Sequence, residues 1–288
     1  MELIYRVKKP ETIHRFMTEN NVPVTILELE ENKYKIYVNG KRKARKDTVK
    51  KNEKIHFFIK DENRDEKVKP ENINLDIVFE DPYLLIINKP SDMQMMISKS
   101  RPTGTLANGI NYYYQENNIN AKIHFVTKLD KEASGLIVIA KHKFIRYLLS
   151  DKNDNSITYH LKAILEGKLE LNESSIPLPI ARIEGSIKRE VSETGDECLT
   201  NYRVDDEFGD YSIVDIWIQN KRAHQIRVHF SFFFCPIVGD KIYGENNLDQ
   251  PLMLYCHKID FVHPITEDKV RYELIEPTFF KKFISDKR

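Results

Sequence analysis

The stretch FVTKLDKEASGLIVIAKH, residues 125–142, places a single aspartate ahead of a Ser-Gly pair and an apolar run. The apolar run at 136–140 predicts a buried β-strand. Ser134 and Gly135 are typical of a tight turn that leads into such a strand. Asp130 is therefore expected in a loop at the edge of the protein core.

Two cations flank this aspartate along the chain, Lys128 and Lys131. Nearby positive charge favours the ionised form of a carboxyl group, which is the form that a nucleophile or a general base needs. A loop aspartate before a strand is nevertheless more often structural than catalytic. The residue types alone leave the role of Asp130 open.

Further apolar, β-rich segments on both sides of this stretch predict a sheet-dominated fold. They lie at 24–29, 34–38, 54–59, 123–126, 161–165, 211–218 and 252–255, and LDIVFEDPYLLIINKP at 75–90 is typical of a hairpin. Helices are predicted at 11–20, 104–116, 143–149 and about 223–234. Because strands outnumber helices and do not alternate with them, we expect an α+β fold: a mixed, mainly antiparallel sheet with packed helices.

The charge is distributed unevenly. Residues 1–60 hold 15 Lys/Arg against 8 Asp/Glu, a net charge of +7, whereas the whole chain carries only +1. We therefore expect a small basic αβ module at 1–62, a polar linker at 63–74 and a larger catalytic domain at 75–288. The basic run suggests contact with nucleic acid, and the alternative is a solvated basic face. Its members are Lys41, Arg42, Lys43, Arg45 and Lys46.

Composition and missing motifs narrow the function further. The three cysteines are odd in number and widely spaced, so we expect no disulfides. No apolar stretch approaches the roughly 20 residues of a membrane helix, and the N-terminus does not resemble a signal peptide. We therefore expect a cytoplasmic protein. The sequence has no HExxH, CxxC, GxSxG or glycine-rich phosphate loop. We expect a reaction that needs neither metal nor cofactor and uses acid–base or nucleophilic side chains.

A second polar cluster is NKRAHQIRVHF at 220–230. If the chain is helical from Ala223, then His224 and Arg227 share one face, and Arg227 points toward a bound phosphate or a partner carboxylate. The alternative is an amphipathic helix with its basic residues in solvent. The segment CPIVGDKIYGE that follows at 235–245 is typical of a structural tight turn, and Leu161 in YHLKAILEGKL is expected in the core.

Together and in this order, these stretches resemble the RluA-type pseudouridine synthases over residues 10–278. The segment at 75–90 resembles the opening of that catalytic domain, GTLANGI its first helix, and KLDKEASGLIVIAK its catalytic motif. The late stretches KRAHQIRVHF, PIVGDKIYG and LYCHKIDFVHP resemble its closing motifs. The N-terminal module resembles the RNA-binding fold of the ribosomal-protein S-four type.

The resemblance implies an isomerisation that detaches uracil from its ribose and rejoins it through carbon, without a cofactor. Asp130 would be the carboxylate that attacks the sugar or takes a proton from it, and these two roles stay open. Lys128, Ser134 and Arg227 would support the site, with Arg227 paired to Asp130. Because the target uridine must be flipped out of structured RNA, basic residues have to hold the distorted backbone, and Arg222 and His224 would line that side.

Several residues depart from the family pattern. Lys128 replaces the usual arginine, which removes bidentate phosphate binding, and Asn-Lys replaces Thr-Gly at the start of the late motif. Leu161 replaces the usual tyrosine, so it can cover a base but has no hydroxyl. Tyr159 is a conceivable substitute, since an even offset in a strand keeps the same face.

The sequence therefore predicts a monomeric RNA pseudouridine synthase that acts on structured RNA, with ribosomal RNA favoured over transfer RNA. A catalytically degenerate RNA-binding protein with the same fold is the alternative that Leu161 suggests. Glycoside hydrolysis by Asp130 and Glu132 is a third possibility, because such enzymes use a pair of carboxyl groups.

Overall fold

The structure is a computed structural model, and it describes residues 2–20, 22, 34–150, 157–219, 221–244 and 250–288. The strand predicted at 24–29 lies outside the described residues. The helices are α1 (Ile13–Glu19), α2 (Leu106–Glu116), α3 (Lys143–Leu148), α4 (Gln225–Phe232) and α5 (Thr278–Lys287). The strands up to the site are β1 (Glu2–Arg6), β2 (Glu11–Thr12), β3 (Tyr34–Val38), β4 (Lys41–Lys43), β5 (Thr48–Val49), β6 (Lys54–Ile59), β7 (Asp76–Glu80), β8 (Leu84–Lys89), β9 (His124–Phe125) and β10 (Ser134–Ala140). The later strands are β11 (Thr158–Glu166), β12 (Glu173–Ile176), β13 (Ile180–Arg182), β14 (Arg189–Val191), β15 (Thr200–Phe208), β16 (Tyr211–Ile218), β17 (Leu254–Val262) and β18 (Lys269–Glu273).

One large sheet forms the body of the protein and confirms the predicted α+β class. Its strands run in the order β12-β15-β16-β11-β17-β10-β8-β7, with β9 added to β10 and β18 to β17. Among the described strands of this sheet, only β10 and β17 pair in parallel. The sheet is therefore mixed and mainly antiparallel, as the irregular spacing of strands and helices predicts.

The run that follows Asp130 is the most deeply buried strand of this sheet. All seven residues of β10 are buried, between β8 on one side and β17 on the other. The predicted hairpin at 75–90 forms β7 and β8. The loop that carries Asp130 therefore ends on a rigid central strand, and this fixes where its side chains lie.

Gly135 allows the two parallel strands to approach each other. It lies opposite Cys256 at a φ of +107°, and a Cβ atom at Gly135 would lie 2.2 Å from the carbonyl oxygen of Cys256. Any side chain here would push β17 away from β10. Glycine is thus required at 135 by the strand packing, and the tight turn predicted at Ser134 and Gly135 is instead the start of β10.

The N-terminal residues form a separate four-stranded sheet in the order β1-β6-β3-β4. Helix α1 buries Ile13, Phe16 and Met17, and one face of the sheet is buried while the other is not. The turn predicted at Asn39 and Gly40 connects β3 to β4, and both residues have positive φ.

The predicted linker has no helix or strand, but it packs against the large domain. Val68 is 3% exposed, and its carbonyl oxygen accepts a hydrogen bond from Asn111 of α2. The amide of Asn108 donates to the carbonyl oxygen of Lys69 at 2.8 Å. Segment 63–74 therefore follows a defined path over α2.

Several elements differ from the prediction. Helix α4 begins at Gln225, two residues after the predicted start, because His224 adopts a left-handed conformation with φ of 57°. The strands between 173 and 208, as well as β18 and α5, were not predicted. Most of those strands have exposed polar residues on one face, which weakens the apolar signal.

We expect Gly135→Ala to lower the free energy of unfolding by about 3 kcal/mol or more. An overpacked contact costs ~1–3 kcal/mol, and a left-handed backbone costs a side chain ~1–2 kcal/mol in addition. Denaturant unfolding of purified protein measures this. Gly209→Ala is the matched control, because Gly209 has a φ of +52° and open space around its Cβ position, so only the backbone cost applies. Equal losses for the two variants would contradict the packing argument.

Candidate active site

Asp130 lies in a largely buried position between two cations. Its Oδ1 atom is 3.2 Å from Nζ of Lys221, and its Oδ2 atom is 3.6 Å from Nη1 of Arg227. The side chains of Asp130 and Lys221 are each 10% exposed. Burial alone would raise the pKa of the Asp130 carboxyl, but the charges of Lys221 and Arg227 outweigh burial and hold that pKa below its usual value.

Arg227 is buried and contacts three carboxylates. Its Nε and Nη2 atoms donate to the two oxygens of Asp240 at 2.8 and 2.6 Å, and its Nη1 atom donates to Oε2 of Glu132 at 3.3 Å. Only 1% of the Arg227 side chain is exposed. Burial would lower the pKa of this guanidinium, but the hydrogen bonds and charge of Asp240 raise it above its ordinary value. The predicted pairing of Arg227 with Asp130 is present, and Asp240 is the stronger partner.

Asp240, like Lys221 and Lys89, was not predicted as a site residue from the sequence. It lies in the segment interpreted as a structural turn, and its carboxylate is fully buried. Besides Arg227, Oδ1 accepts hydrogen bonds from the backbone amides of Ile242 and Tyr243 at 2.9 and 3.1 Å. An aspartate after a glycine, as in Gly239-Asp240, is a sequence signal for a carboxylate that caps its own turn. The pairing of Asp240 with Arg227 depends on the fold and gives no such signal.

The backbone of the Asp130 loop is held from the β8 side. Nζ of Lys89 is buried and donates to the carbonyl oxygens of Lys131, Pro90 and Met93 at 2.8 to 3.0 Å. Burial and then the charge of Lys221 lower the pKa of Lys89 to about 8. Ser91 donates a hydrogen bond to the carbonyl oxygen of Glu132 at 2.5 Å. The contacts of Lys89 and Ser91 therefore fix the two residues that follow Asp130, Lys131 and Glu132.

A small cavity opens next to the Asp130 loop, where Leu129 and Lys221, the ion-pair partner of Asp130, both line it. Its volume is about 190 Å³, and its lining residues are Val126, Thr127, Lys128, Leu129, Tyr159, Leu161, Ile218, Gln219 and Lys221. Pockets for whole drug-sized ligands usually measure ~300–1000 Å³, so this cavity suits a single flat ring. Leu161 and Tyr159 both line it, as their even spacing on β11 predicts.

Lys128 does not have the contacts that its position in the sequence suggests. Its side chain is exposed, and among the described residues the ion pairs of Asp130 are with Lys221 and Arg227 instead. The interpretation that Lys128 and Lys131 keep the carboxyl group ionised is therefore wrong. Residues next to each other in a loop point in different directions, whereas Lys221 reaches Asp130 from the end of a distant strand.

The other predicted residues of the site occupy varied positions. Ser134 is 7% exposed at the start of β10, and its hydroxyl has no hydrogen-bond partner among the described residues. Arg222 is exposed, and its Nε atom donates to the carbonyl oxygen of Glu197 at 3.3 Å. His224 is half-buried, with Nδ1 2.9 Å from the hydroxyl of Tyr243, and burial lowers its pKa despite the nearby charge of Asp130.

The basic run of the N-terminal module comprises β4 and the residues after it, and none of its members lines this cavity. Arg42, Lys43, Arg45 and Lys46 line an open depression of about 680 Å³ together with Tyr34 and Lys35. In the described part of the chain, no group of three or more His, Cys, Asp and Glu side chains is arranged to hold a metal ion. No described helix is long and apolar enough to cross a membrane.

We expect Asp240→Asn to lower the free energy of unfolding by about 3–5 kcal/mol, the usual cost of leaving one member of a buried ion pair without its partner. The neutral amide leaves the charge of Arg227 without its main counter-charge. Denaturant unfolding compares this variant with Glu132→Gln, whose side chain is 31% exposed and whose loss should cost at most ~1 kcal/mol. Similar losses would show that Asp240 does not anchor Arg227.

Comparison with known proteins identifies the family of this chain. The model of the RNA pseudouridylate synthase family matches residues 83–232. Among curated proteins, the uncharacterised RNA pseudouridine synthase YhcT of Bacillus subtilis is 36% identical over 81% of this chain and 78% of its own length. The uncharacterised RNA pseudouridine synthase YjbO of the same species is 31% identical over 86% and 89%.

Two further proteins extend the comparison. The ribosomal large subunit pseudouridine synthase D of Pasteurella multocida is 30% identical over 76% of this chain and 73% of its own length. The structure of the human RNA pseudouridylate synthase domain containing 1 superposes with a TM-score of 0.57 at 25% identity, over 72% of this chain and 85% of that one. The family model covers more than half of the chain and includes Asp130, Lys221 and Arg227. The chain therefore belongs to the RluA-type family of RNA pseudouridine synthases, and it is an isomerase that acts on RNA.

Proposed function

We propose that Asp130 is the catalytic carboxylate of this pseudouridine synthase and that its target is a uridine of structured ribosomal RNA. The observation that carries the proposal is the ionised, largely buried state of Asp130 at a cavity that suits one base. The reaction breaks the bond between C1′ and N1 of uridine, forms a bond between C1′ and C5, and releases the hydrogen from C5. Attack on C1′ and removal of a sugar proton both require the carboxylate form.

One oxygen of Asp130 is better placed for this chemistry than the other. Oδ2 is buried next to Arg227 and accepts no hydrogen bond among the described residues, whereas Oδ1 faces Lys221, which lines the cavity. Oδ1 is therefore the atom that reaches the sugar. Arg227, through Oδ2, keeps the group negative without covering the reactive oxygen.

Glu132 is the other carboxylate near Arg227, and it suits the role less well. It is 31% exposed, against 10% for Asp130, and its ion pair is with Arg227, whereas Asp130 pairs with Lys221, which lines the cavity. Glu132 also lies against the same Nη1 atom of Arg227 as Asp130, at 3.3 and 3.6 Å. A glycosidase instead needs its two carboxyl groups to flank the sugar.

The uracil ring would occupy the cavity with Leu161 against one face. Leu161 is 1% exposed and offers only apolar contact. The hydroxyl that the family usually has at this position is missing, and Tyr159 lies on the same face of β11. Leu161 thus shields the base, and we assign no proton transfer to it.

We assign RNA binding to the module at 1–62, with a fold of the ribosomal-protein S-four type, and catalysis to 75–288. The support is the net charge of +7 in residues 1–60 and the depression lined by Arg42, Lys43, Arg45 and Lys46. The preference for ribosomal RNA rests on the relative from Pasteurella multocida, whose name assigns it to the large ribosomal subunit. We propose a cytoplasmic monomer that needs no metal.

We expect Asp130→Asn to abolish turnover while RNA binding persists, because the amide cannot act as nucleophile or base. The measurement is release of tritium from RNA that carries the label at C5 of uridine, with RNA affinity determined in parallel. Glu132→Gln is the matched control, and it should keep most of the activity. Full activity of Asp130→Asn would refute the assignment.

A pseudouridine map of ribosomal and transfer RNA identifies the target. Cells with the wild-type protein are compared with a deletion strain and with the deletion strain that carries Asp130→Ala. A site that is lost on deletion and not restored by the variant identifies both the RNA and the residue. Unchanged maps in all three strains would favour the degenerate RNA-binding protein that Leu161 suggests.

Lys221 is the positioning residue of the site, because its charge is the largest influence that lowers the pKa of Asp130. We expect Lys221→Gln to raise that pKa. Since activity falls as pH falls through the pKa of Asp130, the acid limb of the profile of kcat/KM against pH should move to higher pH. The stability that the carboxylate contributes above its unfolded-state pKa should likewise be lost at a higher pH during acidification.

Two control variants separate this effect from a general loss of charge. Lys221→Arg keeps the cation and should keep the acid limb in place. Lys131→Gln removes a lysine adjacent to Asp130 in sequence but not paired with it, and it should leave the limb unchanged. If the acid limb of the kcat/KM profile moved equally in Lys131→Gln and Lys221→Gln, the role of Lys221 would be contradicted.

A further inference from the structure

The N-terminal sheet has an outer face that the assignments above do not use. Alternate residues of β6 point to opposite sides: Ile55, Phe57 and Ile59 are buried, whereas His56 and Phe58 are not. Phe58 is 42% exposed, and His56 is 30% exposed. A phenylalanine in solvent at the centre of a sheet is unusual, because it adds no packing energy there.

Strand register places more aromatic surface on this face. Tyr37 of β3 lies directly opposite His56, and residues opposite each other in an antiparallel pair share a face. The rings of Tyr37 and Phe58 are 5.5 Å apart in an edge-to-face arrangement. The rings of His56 and Phe58 are stacked, with centroids 6.4 Å apart and planes inclined by 16°. Three rings therefore form a continuous platform across two strands.

The platform borders an open depression of about 600 Å³. Its lining includes Tyr37, His56 and Phe58, together with Lys35 and Lys60. Lys35 and Tyr34 also line the depression that contains the basic run, so aromatic and basic surfaces are continuous. In the basic depression the one acidic side chain of the lining is Asp47, which accepts a hydrogen bond from the backbone amide of Ala44.

The charges that face the platform are mostly positive. Arg42 lies opposite Tyr37, and Lys35 lies opposite Phe58. Glu2 lies on the other side of Phe58, where it pairs with Nδ1 of His56 at 2.7 Å. The carboxylate of Glu2 is thus paired with His56 on the β1 side, while β3 and β4 present the cations Lys35 and Arg42.

We infer that this sheet face binds unpaired bases of single-stranded RNA, with the bases stacked on Tyr37, His56 and Phe58 and the phosphates along Lys35 and the basic run. Every base offers a flat face to an aromatic ring, and a basic groove beside the rings attracts the phosphate backbone. A protein partner would have no need for continuity between the rings and a strongly basic groove. The inference rests on the proposed RNA-binding role of the module, and it names the ligand as an unpaired segment beside the structured target.

The test is binding of a fluorescent oligouridylate to the full-length chain by anisotropy at low salt. We expect Phe58→Ala to weaken binding by roughly 5- to 100-fold, the range typical when alanine replaces a base-stacking aromatic residue. Phe58→Trp should restore the affinity. A strand of the same length with abasic ribose phosphates should bind weakly to the wild type and equally to Phe58→Ala.

Two matched variants separate stacking from charge and from apolar contact. Arg42→Gln should reduce the slope of affinity against salt by about one counterion, whereas Phe58→Ala should leave that slope unchanged. Ile4→Ala removes a side chain that is 53% exposed and lies opposite His56 on the same face, but it removes no ring. It should keep the affinity for RNA.

Other outcomes would overturn the inference. Equal binding of the abasic strand by the wild-type chain would show a purely electrostatic surface. Unchanged affinity in Phe58→Ala would show that the platform does not contact RNA, and an equal loss in Ile4→Ala would indicate a general apolar contact. Because the measurement involves no chemistry, a failure of the Asp130 assignment would not alter it, and tritium release from a minimal substrate should be the same in Phe58→Ala and the wild type.

Discussion

The buried pair of Arg227 and Asp240 is the interaction on which the site depends. Removing two charges from water costs several kcal/mol for each ion, and only good geometry offsets that cost. Here the guanidinium binds both carboxylate oxygens, and two backbone amides complete the hydrogen bonds of Asp240. Because Nε and Nη2 are held in this way, Nη1 is left to face Asp130 and Glu132. The position of one positive charge thus follows from a turn more than one hundred residues after the catalytic loop.

Backbone contacts supply the second constraint. Gly135 brings β10 against β17, while hydrogen bonds from Lys89 to Lys131 and from Ser91 to Glu132 hold the loop from the β8 side. A carboxylate held on both sides needs little reorganisation when charge develops at the sugar, and preorganised electrostatics of this kind usually give the largest contribution to catalysis.

The sequence was sufficient for the features that have local causes. The apolar run after Asp130, the hairpin at 75–90 and the alternation of Tyr159 and Leu161 follow from side-chain periodicity, and each is confirmed. Features that depend on contacts between distant segments could not be predicted from the sequence. Lys221 and Asp240 meet Asp130 and Arg227 only through the sheet order, and Lys128 was misjudged because proximity in a loop does not set side-chain direction. Helix α4 starts late for a similar reason: the left-handed backbone of His224 is set by its neighbours, including Tyr243.

The size of the cavity and the distribution of charge indicate how recognition and chemistry are divided. A space of about 190 Å³ holds a base and little else. It can therefore contact the target base but not the RNA around it. Flipping that uridine costs a few kcal/mol, which must come from contacts elsewhere on the RNA. Residues 61–288 carry a net charge of −6, since residues 1–60 carry +7 of the total of +1. If residues 1–62 bind the RNA, as we propose, attraction for the RNA backbone is concentrated there, and the choice of target lies with surfaces that take no part in bond breaking.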